Sequence, residues 1–264
     1  KTLTSLRLAE QVVGAGGSVL FLVPSINLLS QSVKAWANDA TIPLATFAVC
    51  SDTHAGSRRI DEDMSANDLS VPASTNTKAL LEAINARASD TNMSVVFSTY
   101  QSIDVISKAQ ADGIGQFDLV ICDEAHRTTG AFTDIDDQSM FTKVHFDEYV
   151  NTAKRLYMTA TPRVYGDQAK AKAADADVLV ASMDDESTFG PVFHELRFGD
   201  AVAQRLLTDY KVLVLAVNED EVSSAFQRQL ASTSGELALN DVSRIVGCWH
   251  ALSKRGPQFE GDNH

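Results

Sequence analysis

Asp123, Glu124 and His126 stand together at the end of an apolar run, Leu119 to Cys122, in the order Asp-Glu-Ala-His. A short run of that kind makes a strand buried on both faces. Acids at the carboxyl end of such a strand sit where open α/β sheets keep their ligands. Side chains alternate along a strand, so the two carboxylates are expected to point different ways and to do different work. One can hold a hydrated Mg2+, which favours one or two carboxylates plus substrate phosphates. The other can take a proton from an attacking water. Two solvated acids capping a strand would be the plainer reading of an Asp-Glu pair alone.

The full stretch Phe117 to Thr129, Phe-Asp-Leu-Val-Ile-Cys-Asp-Glu-Ala-His-Arg-Thr-Thr, says more. It resembles motif II, the Walker B box, of the superfamily 2 helicases and translocases. A second landmark is Arg155-Leu-Tyr-Met-Thr-Ala-Thr-Pro, ending at Pro162, which resembles motif III of the same motors. Two small hydroxyls and an alanine let such a corner lie against the Asp-Glu-Ala-His corner. Thr159 and Thr161 can then hydrogen-bond to the acids or to His126, a short network with two arrangements. By the resemblance, Asp123 holds Mg2+, Glu124 orients and deprotonates the water, and His126, Thr159 and Thr161 couple nucleotide state to movement.

The elements that must position these residues follow the same pattern. Lys1-Thr2 opens an amphipathic helix with Leu3, Leu6 and Val13 as its apolar face. In the family, Lys and Thr close the phosphate-binding loop Gly-x-x-x-x-Gly-Lys-[Ser/Thr]. The resemblance therefore makes Lys1 and Thr2 ligands of ATP, with Thr2 also on Mg2+, and implies that the chain begins inside that loop. Gly14 to Gly17 breaks the helix, and Ser18 to Val23 is a buried strand. Val-Pro-Ser-x-x-Leu-Leu-x-Gln, with Pro24, Ser25 and Gln31, resembles motif Ia, whose polar residues touch nucleic-acid phosphates in the family. A helix N-terminus and a small hydroxyl suit that task. Ser25 also reads as a simple helix N-cap.

Leu44 to Cys50 is a third strand, and 51–77 is a polar insertion whose Arg58-Arg59 pair could touch phosphate and whose His54 lacks metal-ligand spacing. Lys78 to Ala88 is helical, with Leu80, Leu81 and Ile84 at core spacing, and Ser94 to Phe97 is a strand. Thr99, Gln101 and Ser102 after it resemble a corner of restriction-type motors whose hydroxyls face the nucleic-acid track. Ile103 to Gln110 is a helix. Gly130 to Asp137 reads as an acidic loop, Met140 to Val150 as a helix, Gly166 to Asp177 as an Ala-rich helix and Val178 to Ala181 as a strand. Phe189-Gly190-Pro191-Val192 and the segment from Asp200 to Tyr210 resemble the linker of restriction-type and repair-type motors. Residues 1–209 are thus expected to form a first RecA-like ATPase domain with its linker. Residues 210–264, with a strand at 212–217 and helices at 219–231 and 241–252, are expected to begin a second.

Alternating buried strands and helices define the fold class: α/β, an open, mostly parallel RecA-like sheet with helices on both faces. Hydrophobic content of 44% and charged content of 22% are those of an ordinary globular chain. Three dispersed cysteines read as reduced cytoplasmic thiols, and neither a signal peptide nor a membrane span is visible. A net charge of −13 excludes a surface that is basic throughout, though a motor gripping one backbone groove needs only local donors. Arg127-Thr128-Thr129-Gly130 and the linker look most like the motors of type I, type III and single-polypeptide (type ISP) restriction enzymes. That resemblance implies ATP and Mg2+ as cofactors and double-stranded DNA as a partner. It also implies a second RecA-like domain, with nuclease or methyltransferase domains in the same protein and no membrane. A non-catalytic RecA-like docking module and an RNA helicase are the alternatives, since backbone contacts alone do not separate DNA from RNA.

Overall fold

The computed structural model describes residues 1–50, 75–132, 140–168, 171, 173 and 178–209. The chain divides into two compact units, Lys1–Val192 and Phe193–His264, so the division falls inside the linker stretch. In the first unit a helix, α1 (Thr2–Val12), leads to β1 (Ser18–Val23), α2 (Ile26–Asp39) and β2 (Leu44–Val49). Next come α3 (Thr77–Arg87), β3 (Met93–Thr99), α4 (Ile103–Ala109) and β4 (Leu119–Asp123), then β5 (Gly130–Phe132), β6 (Arg155–Met158) and β7 (Leu179–Ala181). A one-turn helix, α5 (Glu186–Phe189), is the last element described in this unit. In the second, α6 (Phe198–Ala203) is described. The expected elements at 212–217, 219–231 and 241–252, Tyr210, and most of the insertion with His54, Arg58 and Arg59 lie outside the described residues. So does most of the Ala-rich helix, of which Asp167, Gln168, Ala171 and Ala173 are helical.

Five strands form one parallel sheet in the order β2-β3-β1-β4-β6. Consecutive residues of β1 serve opposite faces, as the pleat requires. Phe21 and Val23 join Leu6, Trp36 and Phe97 under α1 and α2. Leu20 and Leu22 join Leu80, Tyr100, Ile103 and Ile106 under α3 and α4. Burial on both faces is why these strands are uninterrupted apolar runs rather than alternating ones. Phe21, Trp36 and Phe97 form an aromatic trio with ring centroids 5.2–5.5 Å apart. Gly17 is needed at the entrance to β1, because a Cβ there would come within 2.3 Å of the Val13 side chain.

Five expectations are corrected. Leu3 is exposed, and α1 instead buries Leu6 and Ala9, because its core stripe is set by the sheet beneath it. Gly130–Phe132 is a strand, antiparallel to β7, rather than a loop. Met140–Val150 is not an α-helix: it contains one 3-10 turn, Thr142–His145, among other tight turns. Arg155 contributes to this: its guanidinium takes the Val144 carbonyl at 2.8 Å, away from a helical partner, and the Val150 carbonyl at 2.7 Å. The other two concern the acid pair and the hydroxyls of Thr99 and Ser102, at the site.

Candidate functional site

The strand register brings the carboxyl ends of β1, β3, β4 and β6 to one edge, with Val23 beside Thr99 and Asp123 beside Met158. There β4 stops at buried Asp123, and Glu124 turns into the left-handed region at φ 50°, ψ 44°. The expected alternation of the acids therefore fails. The left-handed residue turns Glu124 back, and both carboxylates meet Lys1: Nζ lies 3.5 Å from Asp123 Oδ1 and is hydrogen-bonded to Glu124 Oε1. The turn is fixed by Glu124 N–H donating to Asp123 Oδ1 at 2.9 Å and Arg127 N–H donating to the Glu124 carbonyl at 2.9 Å. Beneath it, the buried Tyr100 hydroxyl donates to the Asp123 carbonyl at 2.9 Å. Burial, then its neighbours Cys122 and Asp123, push the Tyr100 pKa well up, so it stays a donor. Thr2 is the first residue of α1, and its carbonyl accepts from Ser5 Oγ at 2.7 Å.

His126 sits on the 3-10 turn Ala125–Thr128 that follows. Its Nδ1 lies 3.0 Å from Thr159 Oγ1, 3.4 Å from Thr161 Oγ1 and 3.4 Å from Glu124 Oε2. One ring nitrogen makes one good in-plane hydrogen bond, so these three partners compete for it. The two threonines are tied to each other as well, Thr161 N–H donating to Thr159 Oγ1 at 3.0 Å. Lys1, Asp123, Glu124, His126, Thr159 and Thr161 thus form one continuous polar set across β4, β6 and the start of α1.

The residues expected along a nucleic-acid track share this edge but not one exposure. Ser25 accepts from Leu28 N–H at 3.4 Å as the N-cap of α2, and Gln31 is exposed one turn on. Pro24 is buried, and its carbonyl accepts from Gln101 Nε2 at 3.1 Å, while Gln101 Oε1 is buried without a partner among the described residues. Thr99 and Ser102 do not present their hydroxyls outward. Both are buried, their oxygens 3.2 Å apart, because the chain leaves β3 through a tight 3-10 turn, Tyr100–Ser102.

Sequence reasoning missed Tyr100, whose aromatic ring gave no sign of its hydroxyl's partner, and it missed His145. The His145 Nδ1 lies 2.8 Å from the Tyr157 hydroxyl and Nε2 2.9 Å from the Thr128 carbonyl. Cys50 and Cys122 form no disulfide, and burial pushes the Cys122 thiol up to about 12. Among the described residues no helix is long and apolar enough to cross a membrane.

Known proteins place this geometry in a family. The chain is similar over 99% of its length to an ATP-dependent Type ISP restriction-modification enzyme, LlaBIII, bound to DNA, at 42% identity and a TM-score of 0.75. It is similar over 97% of its length to a nuclease-deletion mutant of the Type ISP restriction-modification enzyme LlaGI in complex with a DNA substrate mimic, at 36% identity and a TM-score of 0.62. The chain spans 17% and 21% of those two proteins. No curated protein sequence matches it significantly. Residues 1–164 match the family model described as "Type III restriction enzyme, res subunit", and with that match covering more than half of its length the chain belongs to this family.

Proposed function

We propose that the chain is part of an ATP-driven DNA translocase motor of a cytoplasmic restriction-modification enzyme, working on double-stranded DNA. Its partners within the whole protein are a second RecA-like domain and nuclease or methyltransferase domains. The observation that carries this is the meeting of Lys1 with Asp123 and Glu124, two residues before His126 and its link to Thr159. An ammonium, a threonine at a helix start and two carboxylates fit a Mg2+–nucleotide. Such an ion takes one or two carboxylates, a hydroxyl and phosphates rather than an all-protein cage. Mg2+ supplies charge neutralisation at the phosphates when bound.

The chain's own groups do the rest. Lys1, shared here between two carboxylates, would turn to the phosphate oxygens, and Thr2 and Asp123 would hold the ion. Glu124, released from Lys1, orients the water and takes its proton. His126 changes partner among Glu124, Thr159 and Thr161, and so reports the state of Glu124 to β6. Ser25 and Gln31, with Pro24, Thr99, Gln101 and Ser102 shaping the corner behind them, face the DNA backbone. The test is Glu124→Gln in the full-length protein, where the amide keeps the shape and loses the base. Nucleotide binding is retained and turnover falls by ~10²–10⁴. Turnover within about a factor of two of wild type removes Glu124 from the role assigned to general bases.

A further inference from the structure

The Phe189-Gly190 pair stands out in the sequence, and the nucleotide site does not use it. Its surroundings give it a task. Asp185 caps α5, accepting from Ser187 N–H at 3.0 Å and Thr188 Oγ1 at 2.7 Å, and Gly190 leaves the helix at φ 74°. This one-turn helix presents the Phe189 ring edge-on to two others, at 4.8 Å from His145 and 4.9 Å from Tyr157. All of these contacts lie within the first unit, three residues before its boundary.

His145 is where those contacts reach the site. A carbonyl only accepts, so the Nε2 facing Thr128 carries the proton, and Nδ1 then accepts from the Tyr157 hydroxyl. Through Thr128, His145 grips the end of the turn that carries His126, a turn braced by Thr128 Oγ1 on the Ala125 carbonyl at 2.9 Å and Thr129 Oγ1 on the His126 carbonyl at 2.7 Å. Through Tyr157, it grips β6 two residues before Thr159, the other partner of His126. The 3.0 Å contact between His126 and Thr159 is therefore held from both sides by one imidazole, and Phe189 packs on that imidazole.

We propose that Phe189, His145 and Tyr157 form a coupling joint, in which His145 is a positioning residue that passes the seating of the Phe189 segment to the His126–Thr159 contact. The inference rests on the ATPase reading above. A physical coupling of this kind needs an element with two arrangements that both ends bias, and the three-way competition at His126 Nδ1 is that element. Phe189 is only half-buried, so its removal perturbs the joint without opening a core.

The experiment is steady-state ATPase of the full-length protein with and without double-stranded DNA. Phe189→Ala and His145→Leu are expected to leave the DNA-free rate within about threefold while lowering DNA stimulation about tenfold, the usual size of a coupling between sites. The double variant should be no worse than His145→Leu, because residues acting through one link are non-additive. His145→Gln, which keeps one acceptor and one donor, should restore most of the stimulation. Multiplying losses in the double variant, proportional falls of both rates, or a Gln variant as impaired as Leu would each overturn the joint. If DNA fails to stimulate the wild type, the ATPase reading fails first and the joint falls with it. A stimulated wild type with unaffected variants refutes the joint alone.

Discussion

His145 should make the first unit sensitive to mild acid, and the size of the effect follows from its surroundings. Burial, helped by the Arg155 charge and opposed by the bond to the Thr128 carbonyl, lowers its pKa from 6.5 to about 4. The folded ring therefore refuses a proton that the unfolded chain accepts. Stability from this group is fully present above pH 6.5 and is lost as pH falls towards 4, where the loss saturates. The gap corresponds to about 3 kcal/mol in full and about 2 kcal/mol at pH 5. Carboxylates with lowered pKa values, Glu10 and Asp185, begin to protonate in the unfolded chain towards the bottom of that window, but they are common to wild type and a His145 variant, so a comparison of the two cancels them. The perturbation is a step from pH 7.5 to pH 5 in wild type and in His145→Gln, which has nothing to titrate. Urea unfolding followed by Trp36 fluorescence reads the first unit, in a Trp249→Phe background so that Trp36 alone reports. Wild type should lose ~2 kcal/mol more than the Gln variant over the step. Losses equal within about 0.5 kcal/mol would show that His145 titrates as a free imidazole, and the buried, proton-poor ring described here would be wrong.

Two further outcomes test other parts of the structure. Thr159→Ala with Thr161→Ala leaves His126 with Glu124 as its remaining neighbour, so ATP hydrolysis should persist in the full-length protein while triplex displacement per ATP collapses. Unchanged displacement would reduce this corner to a strand end. Phe97→Ala, at the centre of the aromatic trio, should lower stability by about 3–5 kcal/mol in urea unfolding, as large-to-small core changes do.

Much of the first unit is legible in sequence because of how it is buried. Strands covered on both faces are continuous apolar runs, so Ser18–Val23 and Leu119–Cys122 announce themselves, and the positions of Asp123 and Thr159 at strand ends follow. What escaped has a physical reason in each case. The β5–β7 pair is three residues per strand, too short for any period. Residues 140–150 have helical spacing, but Arg155, on the strand that follows, claims two of their carbonyls. Thr99 and Ser102 look like outward hydroxyls until the tight turn after β3 folds one onto the other. His145 has no neighbour in sequence that hints at its partners, Thr128 and Tyr157.

The deepest of these gaps is Glu124, because its backbone decides what the acid pair can do. On an extended strand Asp123 and Glu124 would face opposite sides, and one ammonium could not reach both. A left-handed glutamate costs about 1–2 kcal/mol of backbone strain, and no glycine or asparagine marks the position in sequence. The fold meets that cost locally, with Asp123 Oδ1 on the Glu124 N–H, Arg127 N–H on the Glu124 carbonyl and the Tyr100 hydroxyl on the Asp123 carbonyl. Glycine would adopt the turn freely but would bring no carboxylate to Lys1. Strain held at a non-glycine residue by three converging hydrogen bonds, where two acids and an ammonium meet, accords with the site proposed above.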